Sequence, residues 1–260
     1  MSKLWENQWL KRLLWIMLFG IIWQMMAFFE WANPSLVPPL SQIWGSLNQS
    51  WQNGEMWQAT ILSLKLILGG LLLGALAALI LAGLSMISKV GQSFTDTVTA
   101  IAHPLPGIAL LPVIILWLGA GTEAILFIIV HSVVWPMALN LLAGFRSIPV
   151  IYREVGRNIG LKPLQNTGLI MIPASLPFLL AGLKIGWARA WRALISAEMI
   201  FGAAGGEGGL GWFIFKRRVF MDTPGIYAGI LVIVVIGIMV EDGFFRQIER
   251  LTIKKWGMSN

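Results

Sequence analysis

Four ionisable side chains interrupt an apolar stretch in the second half of the chain: Lys184, Arg189, Arg192 and Glu198. A charge at membrane depth is costly unless it faces a cavity or a partner, so Arg189, Arg192 and Glu198 are candidate residues of a substrate pathway. Because a helix turns 100° per residue, Arg189 and Arg192 are predicted on one side and Lys184 and Glu198 on another. In a central pathway, the two arginines would attract a small anion such as a sulfonate, carboxylate or nitrate. The alternatives are an ion pair with another helix or, above all for Lys184, a side chain that reaches the membrane interface.

His103 is a further candidate for the pathway, in an apolar segment that also contains Pro104, Pro106 and Pro112. Proline removes backbone hydrogen bonds that lipid cannot replace, so this segment is predicted to be kinked and shielded by protein or water. A single histidine there is more commonly a hydrogen-bonded packing residue than a ligand of the solute. With two histidines and no cysteine, the sequence predicts neither a metal centre nor a thiol nucleophile, and no catalytic residue is proposed.

The composition predicts an integral membrane protein that would hold these side chains on membrane-spanning helices. The 260 residues are 57% hydrophobic and 12% charged, with a mean hydropathy of +0.76, whereas soluble domains are about a quarter charged. The formal net charge of +7 then indicates cationic loops against the anionic inner leaflet of a lipid membrane, not a nucleic-acid surface.

Six apolar runs approach or exceed the roughly 20 residues that a helix needs to cross the hydrocarbon core. We therefore expect an all-α membrane protein of about six transmembrane helices, over residues 13–29, 61–87, 97–118, 124–142, 174–200 and 226–240. The second run carries small residues at four-residue intervals, a pattern typical of close packing between helices. These residues are Gly70, Gly74, Ala78 and Ala82.

The distribution of cations predicts that both termini are cytoplasmic. With this orientation the exterior segments hold only Lys216, Arg217 and Arg218, and the excess of cations lies inside, as the positive-inside rule requires. The predicted cytoplasmic segments carry Lys3, Lys11, Arg12, Lys89, Arg146, Arg153, Arg157, Lys162, Arg246, Arg250, Lys254 and Lys255.

A polar segment between the fourth and fifth runs is predicted to contain a short helix and a turn. Residues 150–159 follow Pro149 and carry apolar side chains on one side, and Gly160 is well placed as a left-handed C-cap. Pro163 and residues 166–168 permit further turns before the chain re-enters the membrane. From the residues alone, a connector lying on the membrane surface explains this segment equally well.

The spacing of this segment resembles the EAA loop of binding-protein-dependent ABC importer permeases. That motif reads E-A-A, three residues, G, nine residues and then I-x-L-P. Its two alanines are replaced here by Val155 and Gly156, and its leucine by Ile172. The other positions of the motif are matched at the same spacing by Glu154, Gly160, Ile170 and Pro173.

Two further stretches resemble the nitrate/taurine/sulfonate subfamily of these permeases. The first reads HPLPGIALLPVIILWLGAG, at residues 103–121, and resembles the subfamily's Pro-rich third span. The second reads AGLKIGWARAWRALISAEMIFGAAGGEGGLGWFI, at residues 181–214. The resemblance covers roughly residues 55–255, which is most of the chain.

The resemblance implies the fold and partners of a transmembrane subunit of a type I ABC importer. Such permeases pair as dimers, here expected to be two copies of one chain, and receive the solute from a periplasmic or lipid-anchored binding protein. Their EAA loop forms a cytoplasmic coupling helix seated in a groove of the ATPase. The resemblance implies that Glu154 faces basic or polar groups of the ATPase and that Gly160 permits the turn between the elements of the loop. It also implies that Pro173 sets where the chain re-enters the membrane. The coupling residues so implied are Arg153, Glu154, Val155, Gly156, Gly160, Ile170 and Pro173.

The chain has no G-x-x-x-x-G-K-[ST] phosphate-binding loop, so we expect ATP and Mg²⁺ on a separate ATPase chain and no enzymatic activity here. Gly206, Gly208 and Gly211 do satisfy G-x-G-x-x-G, but no strand precedes them. We interpret them as a flexible, close-packed exterior segment near the docking face of the binding protein.

Residues 1–260 are predicted to form a single permease domain. Within it, residues 1–60 would be an N-terminal span and exterior loop, 61–240 the core with coupling loop 147–174, and 241–260 a cytoplasmic tail.

An alternative function is a secondary transporter driven by an ion gradient, which would favour intramembrane acids or inverted repeats. Glu198 is the clear intramembrane acid, and no repeat is evident. A membrane-embedded enzyme would require a cluster of catalytic residues that the sequence does not offer.

Overall fold

The computed structural model describes residues 8–201 and 208–254, and the regular structure in these ranges is helical. Thirteen α-helices are joined by short loops, one 3₁₀ turn and three π-helical segments. The helices are α1 Gln8–Phe28, α2 Leu40–Gln52, α3 Glu55–Ile87, α4 Lys89–Ala102, α5 Leu111–Leu118, α6 Thr122–Ser147, α7 Val150–Asn158, α8 Pro163–Asn166, α9 Ile172–Ala174, α10 Leu176–Phe201, α11 Leu210–Val219, α12 Thr223–Ile238 and α13 Arg246–Glu249.

Four helices in the described ranges are long and apolar enough to cross a membrane, and two bent pairs raise the count to six. The single helices are α1, α3, α6 and the continuous stretch Thr223–Ile253. The bent pairs are Lys89–Ala102 with Gly107–Leu118, and Gly168–Ala174 with Leu176–Phe201. The six predicted runs correspond to these six units, and the predicted all-α fold is confirmed.

The third predicted span is broken at its prolines, which confirms the expected kink. Its two halves meet at 85°, and the break contains Pro104 and Pro106. The chain resumes as a 3₁₀ turn, Gly107–Leu110, that leads into α5. The first half begins at Lys89, earlier than predicted, because Ser88 caps it by accepting a hydrogen bond of 2.9 Å from the Gly91 N–H.

The predicted small-residue stripe of α3 packs against α6. Gly70, Gly74, Ala78 and Ala82 are all buried. A Cβ atom added to Gly74 would lie 2.7 Å from the Cβ of Val133, and one added to Gly70 would collide with Ile129. From the other side, Gly186 of α10 approaches Val133 closely enough that its Cβ would lie 3.3 Å from Cγ1. Helix α6 is therefore held between α3 and α10, where glycines permit close backbone approach.

The last predicted span continues beyond Val240, where the sequence predicted a tail. A π-helical segment, Met239–Phe245, extends α12, and α13 and a second π segment carry the helix to Lys254. Polar residues are accommodated there by ion pairs, since Asp242 contacts both Arg12 and Arg246. Residues 255–260 lie outside the described residues.

Candidate functional site

A cavity of about 580 Å³ opens between the break in the third span, α6 and α10. Non-helical backbone at membrane depth is tolerated where it borders protein or a water-filled cavity, and the segment from His103 to Ile108 does so here. The cavity brings together three of the predicted pathway residues, His103, Arg189 and Arg192. Its lining is completed by Pro104, Leu105, Pro106, Gly107, Ile108, His131, Ser132, Trp135, Ala193 and Ser196.

Arg189 and Arg192 lie on one side of α10, together with Ser196, as the helical periodicity predicted. Both arginines are exposed to the cavity. The Nε–H of Arg192 donates a hydrogen bond of 3.0 Å to the backbone carbonyl of Ala188. Within the described ranges neither guanidinium forms an ion pair with an acidic side chain. Lys184, on the same helix, does form one, with its Nζ 3.9 Å from Oε1 of Glu249. The two arginines therefore leave positive charge available to a ligand in the cavity.

Helix α6 supplies polar groups that the sequence did not single out as site residues. His131 and Trp135 are one turn apart on the cavity side, with ring centroids 5.8 Å apart and planes at 71°. Both imidazole nitrogens of His131, the indole nitrogen of Trp135 and Nδ1 of His103 are shielded from solvent and have no hydrogen-bond partner among the described residues. His131 does lie beside the Ala102 backbone, without a hydrogen bond of ordinary geometry. The spacing of i and i+4 in an apolar run was the signal that could have identified the pair.

Glu198 occupies a different place from the arginines, away from the cavity lining. Its carboxylate is buried and accepts hydrogen bonds from the Ser63 hydroxyl at 2.7 Å and from the Gly211 N–H at 2.8 Å. The Ser63 hydroxyl oxygen in turn accepts a hydrogen bond of 2.9 Å from the Leu210 N–H. Ser63 and Glu198 thus accept hydrogen bonds from N–H groups in the first turn of α11 that have no partner within the helix. These bonds tie α11 to α3, which carries Ser63, and to α10, which carries Glu198.

The glycines before and within α11 permit this close approach. A Cβ atom on Gly211 would lie 2.7 Å from the Cβ of Glu198, and one on Gly209 would collide with the carboxylate. A Cβ on Gly208 would collide with the Trp212 side chain. Gly208 and Gly211 are therefore packing positions, as the sequence suggested. Gly206, the other member of the glycine pattern, lies outside the described residues.

An ion-pair cluster holds the opposite end of α11 against α3 and the start of α12. Arg217 contacts Glu55 at 2.5 Å and Asp222 at 2.8 Å, and Lys216 contacts Glu55 at 3.0 Å. The Arg217 guanidinium also lies 4.8 Å from the ring centroid of Phe213. Two of the three cations predicted in exterior segments are therefore engaged in a local network.

The predicted short helix of the polar segment is α7. It ends as predicted at Gly160, whose φ is +81° and whose N–H bonds to the Arg157 carbonyl at 2.9 Å. Glu154 and Val155 are exposed, as are the apolar side chains Val150, Ile151 and Ile159. The side chain of Arg153 lies outside the described part of the structure. Helix α7 thus presents one carboxylate to its surroundings, together with the cation Arg157 and several apolar side chains.

Gly156 is buried within α7 and fixes how the loop folds back. A Cβ atom there would lie 2.6 Å from Oδ1 of Asn166 and 2.8 Å from Cδ1 of Ile170. The chain then passes through a π-helical segment, Thr167–Met171, and α9, which contains Pro173, before α10 begins at an angle of 60°. Gly156, Ile170 and Pro173 therefore shape the loop, whereas Glu154 and Val155 lie on its surface.

The described residues contain no group of three or more His, Cys, Asp or Glu side chains placed to hold a metal ion.

Residues 70–254 match the family described as the binding-protein-dependent transport system inner membrane component. The chain belongs to this family.

Individual relatives and one solved structure agree with this assignment. The taurine transport system permease protein of Escherichia coli strain K12 is 28% identical over 89% of this chain and 84% of its own length. The nitrate import permease protein of Synechocystis sp. strain PCC 6803 is 27% identical over 90% of this chain and 85% of its own. The crystal structure of an amino acid ABC transporter with histidines shares the fold, with a TM-score of 0.60 and 16% identity over 80% of this chain and 97% of that one.

The family assignment states what kind of subunit this is. The chain is a multi-pass permease subunit of a binding-protein-dependent ABC importer, and such a system includes an ATPase and a substrate-binding protein. The resemblance inferred from the motif spacing is thereby confirmed.

Proposed function

We propose that the chain forms the membrane path for a small anion, with the cavity of Arg189 and Arg192 as part of that path. The single observation that carries this proposal is the pair of guanidinium groups that face the cavity without an acidic partner in the described ranges. A cation in a cavity of low polarity acts over a longer range than in water, because solvent screens it less. An anion would therefore be drawn to this point in preference to a cation.

The names of the relatives support the same class of solute. Taurine carries a sulfonate and nitrate is an oxyanion, and both names belong to permeases that match most of this chain. His103 contributes a further polar side chain to the pathway in this proposal. Glu198, which we also considered as a pathway residue, would act on the path indirectly, by holding α11 at one end of α3 and α10.

Helix α7 would be the coupling helix that contacts the ATPase. Its exposed Glu154 and Val155 offer a charged and an apolar contact, and Gly156, Gly160, Ile170 and Pro173 give the loop its shape. Arg153 is a further coupling residue in this proposal. The ATPase would bind ATP and Mg²⁺, and this chain would have no enzymatic activity of its own.

The proposed arrangement places α7 and both termini in the cytoplasm and α11 on the exterior, where the binding protein would dock. The excess of Lys and Arg in the segments at the α7 end supports this orientation. Two copies of the chain would pair across the pathway, and the exposed apolar side chains of α1 and α12 would contact lipid. Residues 1–260 would act as a single permease domain.

Uptake into proteoliposomes tests the proposal. The chain would be reconstituted with its ATPase and binding protein, and ATP-dependent uptake of taurine, ethanesulfonate and nitrate would be compared with uptake of choline. We expect accumulation of at least one anion and none of choline. ATP-dependent uptake of choline, or of none of the three anions, would contradict the proposal.

A further inference from the structure

Helix α6 presents two polar side chains to the cavity from a wall other than that of the arginines. His131 and Trp135 lie on α6, whereas Arg189 and Arg192 lie on α10, and all four line the same space. Helix α6 is itself fixed between α3 and α10 by the close contacts of Gly74 and Gly186 with Val133. The two polar side chains are thus carried by a rigid element and not by a loop, as a binding site requires.

The polar atoms of these two residues have no partner within the described residues. Both nitrogens of the His131 imidazole and the indole nitrogen of Trp135 are shielded from solvent without a hydrogen bond. Buried polar groups are normally satisfied, and both side chains line the cavity, so a rotation of either ring would turn its N–H towards an acceptor inside that cavity. Ser132, which lies between His131 and Trp135 in the sequence, already donates its hydroxyl hydrogen to the Ile128 carbonyl at 2.8 Å.

The chemistry of the unsatisfied groups indicates what they would bind. The indole N–H of Trp135 can only donate, and the guanidinium groups of Arg189 and Arg192 can only donate. His131 offers one N–H as a neutral imidazole, whichever nitrogen carries the hydrogen. A ligand that satisfies these groups together must present several acceptor oxygens and bear negative charge, as a sulfonate does.

We propose that His131 and Trp135 form the second wall of an oxyanion site, donating hydrogen bonds to the solute while Arg189 and Arg192 supply the charge. This inference rests on the proposed function and adds the residues that would orient the anion. The two rings are in T-shaped contact, with centroids 5.8 Å apart, so they lie close enough together to bind one solute. Binding across α6 and α10 would also make the site sensitive to relative movement of the two helices.

Uptake by conservative variants tests the assignment. Trp135→Phe keeps an aromatic ring and removes the N–H, and Trp117→Phe, at a residue that is 74% exposed on α5 and outside the cavity, is its matched control. His131→Leu removes both nitrogens, and His131→Gln retains a donor. With loaded binding protein in excess, we expect ethanesulfonate uptake to fall about tenfold in Trp135→Phe and His131→Leu, as for loss of a hydrogen bond to a charged group. Uptake is expected to persist in His131→Gln and Trp117→Phe.

A spectroscopic measurement separates ligand contact from a change in folding. In the complex labelled with 5-fluorotryptophan, the ¹⁹F resonance that is absent from Trp135→Phe should shift when ethanesulfonate is added. The resonance assigned by Trp117→Phe should not. If wild-type protein transports ethanesulfonate but the Trp135 resonance stays in place and both variants transport at the wild-type rate, the second wall is refuted and the proposed function stands. If Arg189 and Arg192 also prove dispensable, the anion pathway itself is refuted.

Discussion

The carboxylate of Glu198 accepts a hydrogen bond of 2.8 Å from the backbone N–H of Gly211, which joins α10 to the first turn of α11. Ser63 of α3 completes the arrangement, since its hydroxyl donates to the same carboxylate and accepts from the Leu210 N–H. A buried carboxylate is stable at such a place because two donors, the Ser63 hydroxyl and the Gly211 N–H, reach its oxygens, and the Leu210 N–H in turn satisfies the Ser63 oxygen. The glycines of this region allow the backbone to come this close.

Removing the Glu198 carboxylate is expected to destabilise the protein. Glu198→Ala leaves the Ser63 hydroxyl and the Gly211 N–H without their partner, at a cost of about 3 kcal/mol for a broken buried charge interaction. Thermal unfolding of the detergent-solubilised protein measures the effect as a lower midpoint. Glu241→Ala, at an exposed acid in the segment after α12, is the control and should unfold as wild type does. Equal midpoints for both variants would show that the network contributes nothing.

Two glycines of the proposed coupling loop, Gly156 and Gly160, are expected to be sensitive to substitution by alanine, and a third, Gly168, is not. Gly156→Ala would place a methyl group 2.6 Å from Oδ1 of Asn166, and Gly160→Ala would strain a backbone with φ of +81°. Gly168, in the same loop, has no atom within 4 Å of an added Cβ and no positive φ. We expect Gly156→Ala and Gly160→Ala to reduce co-purification of the ATPase severalfold, whereas Gly168→Ala retains it. Loss of binding in Gly168→Ala alone would contradict the described loop geometry.

The arginines of the cavity are expected to act through their charge. Arg189→Ala and Arg192→Ala should each lower anion uptake by about tenfold, because one charge-assisted contact with the solute is lost. Arg192→Lys should recover part of the rate, since it restores the charge without the planar fork of donors. Arg250→Ala, at an exposed cation far along the chain, serves as the control. The measurement is the rate of anion uptake with saturating binding protein. Unchanged rates in both alanine variants would show that neither arginine belongs to the substrate pathway.

Local periodicity in the sequence was sufficient to predict the elements and one face of the site. The 100° turn per residue separated Arg189 and Arg192 from Glu198, and the structure places them on different surfaces of α10. The four-residue spacing of Gly70 and Gly74 likewise predicted a helix contact that α6 provides. Patterns of this kind depend on residues within a few turns of one another, so a single sequence carries them.

Contacts between distant parts of the chain were not predictable in the same way. Ser63 and Glu198 are 135 positions apart, and neither residue type indicates the other. His131 and Trp135 join the cavity only because the third span breaks at its prolines and α6 turns this face towards the gap. The departure at Gly156, where the motif has alanine, has a similar explanation, because Asn166 and Ile170 fill the space that a methyl group would need.

The exposed carboxylate of α7 provides the last prediction. Glu154→Lys reverses the charge of an exposed side chain, so the fold should be unaffected while the proposed contact with the ATPase becomes repulsive. We expect the ATPase to be lost from the purified complex and substrate-stimulated hydrolysis to fall at least tenfold, with the salt dependence of a surface charge interaction. Glu123→Lys, in the first turn of α6 at the opposite end of the molecule, is the matched control and should leave ATPase binding intact. If Glu123→Lys releases the ATPase and Glu154→Lys does not, both the coupling role of α7 and the proposed orientation are wrong.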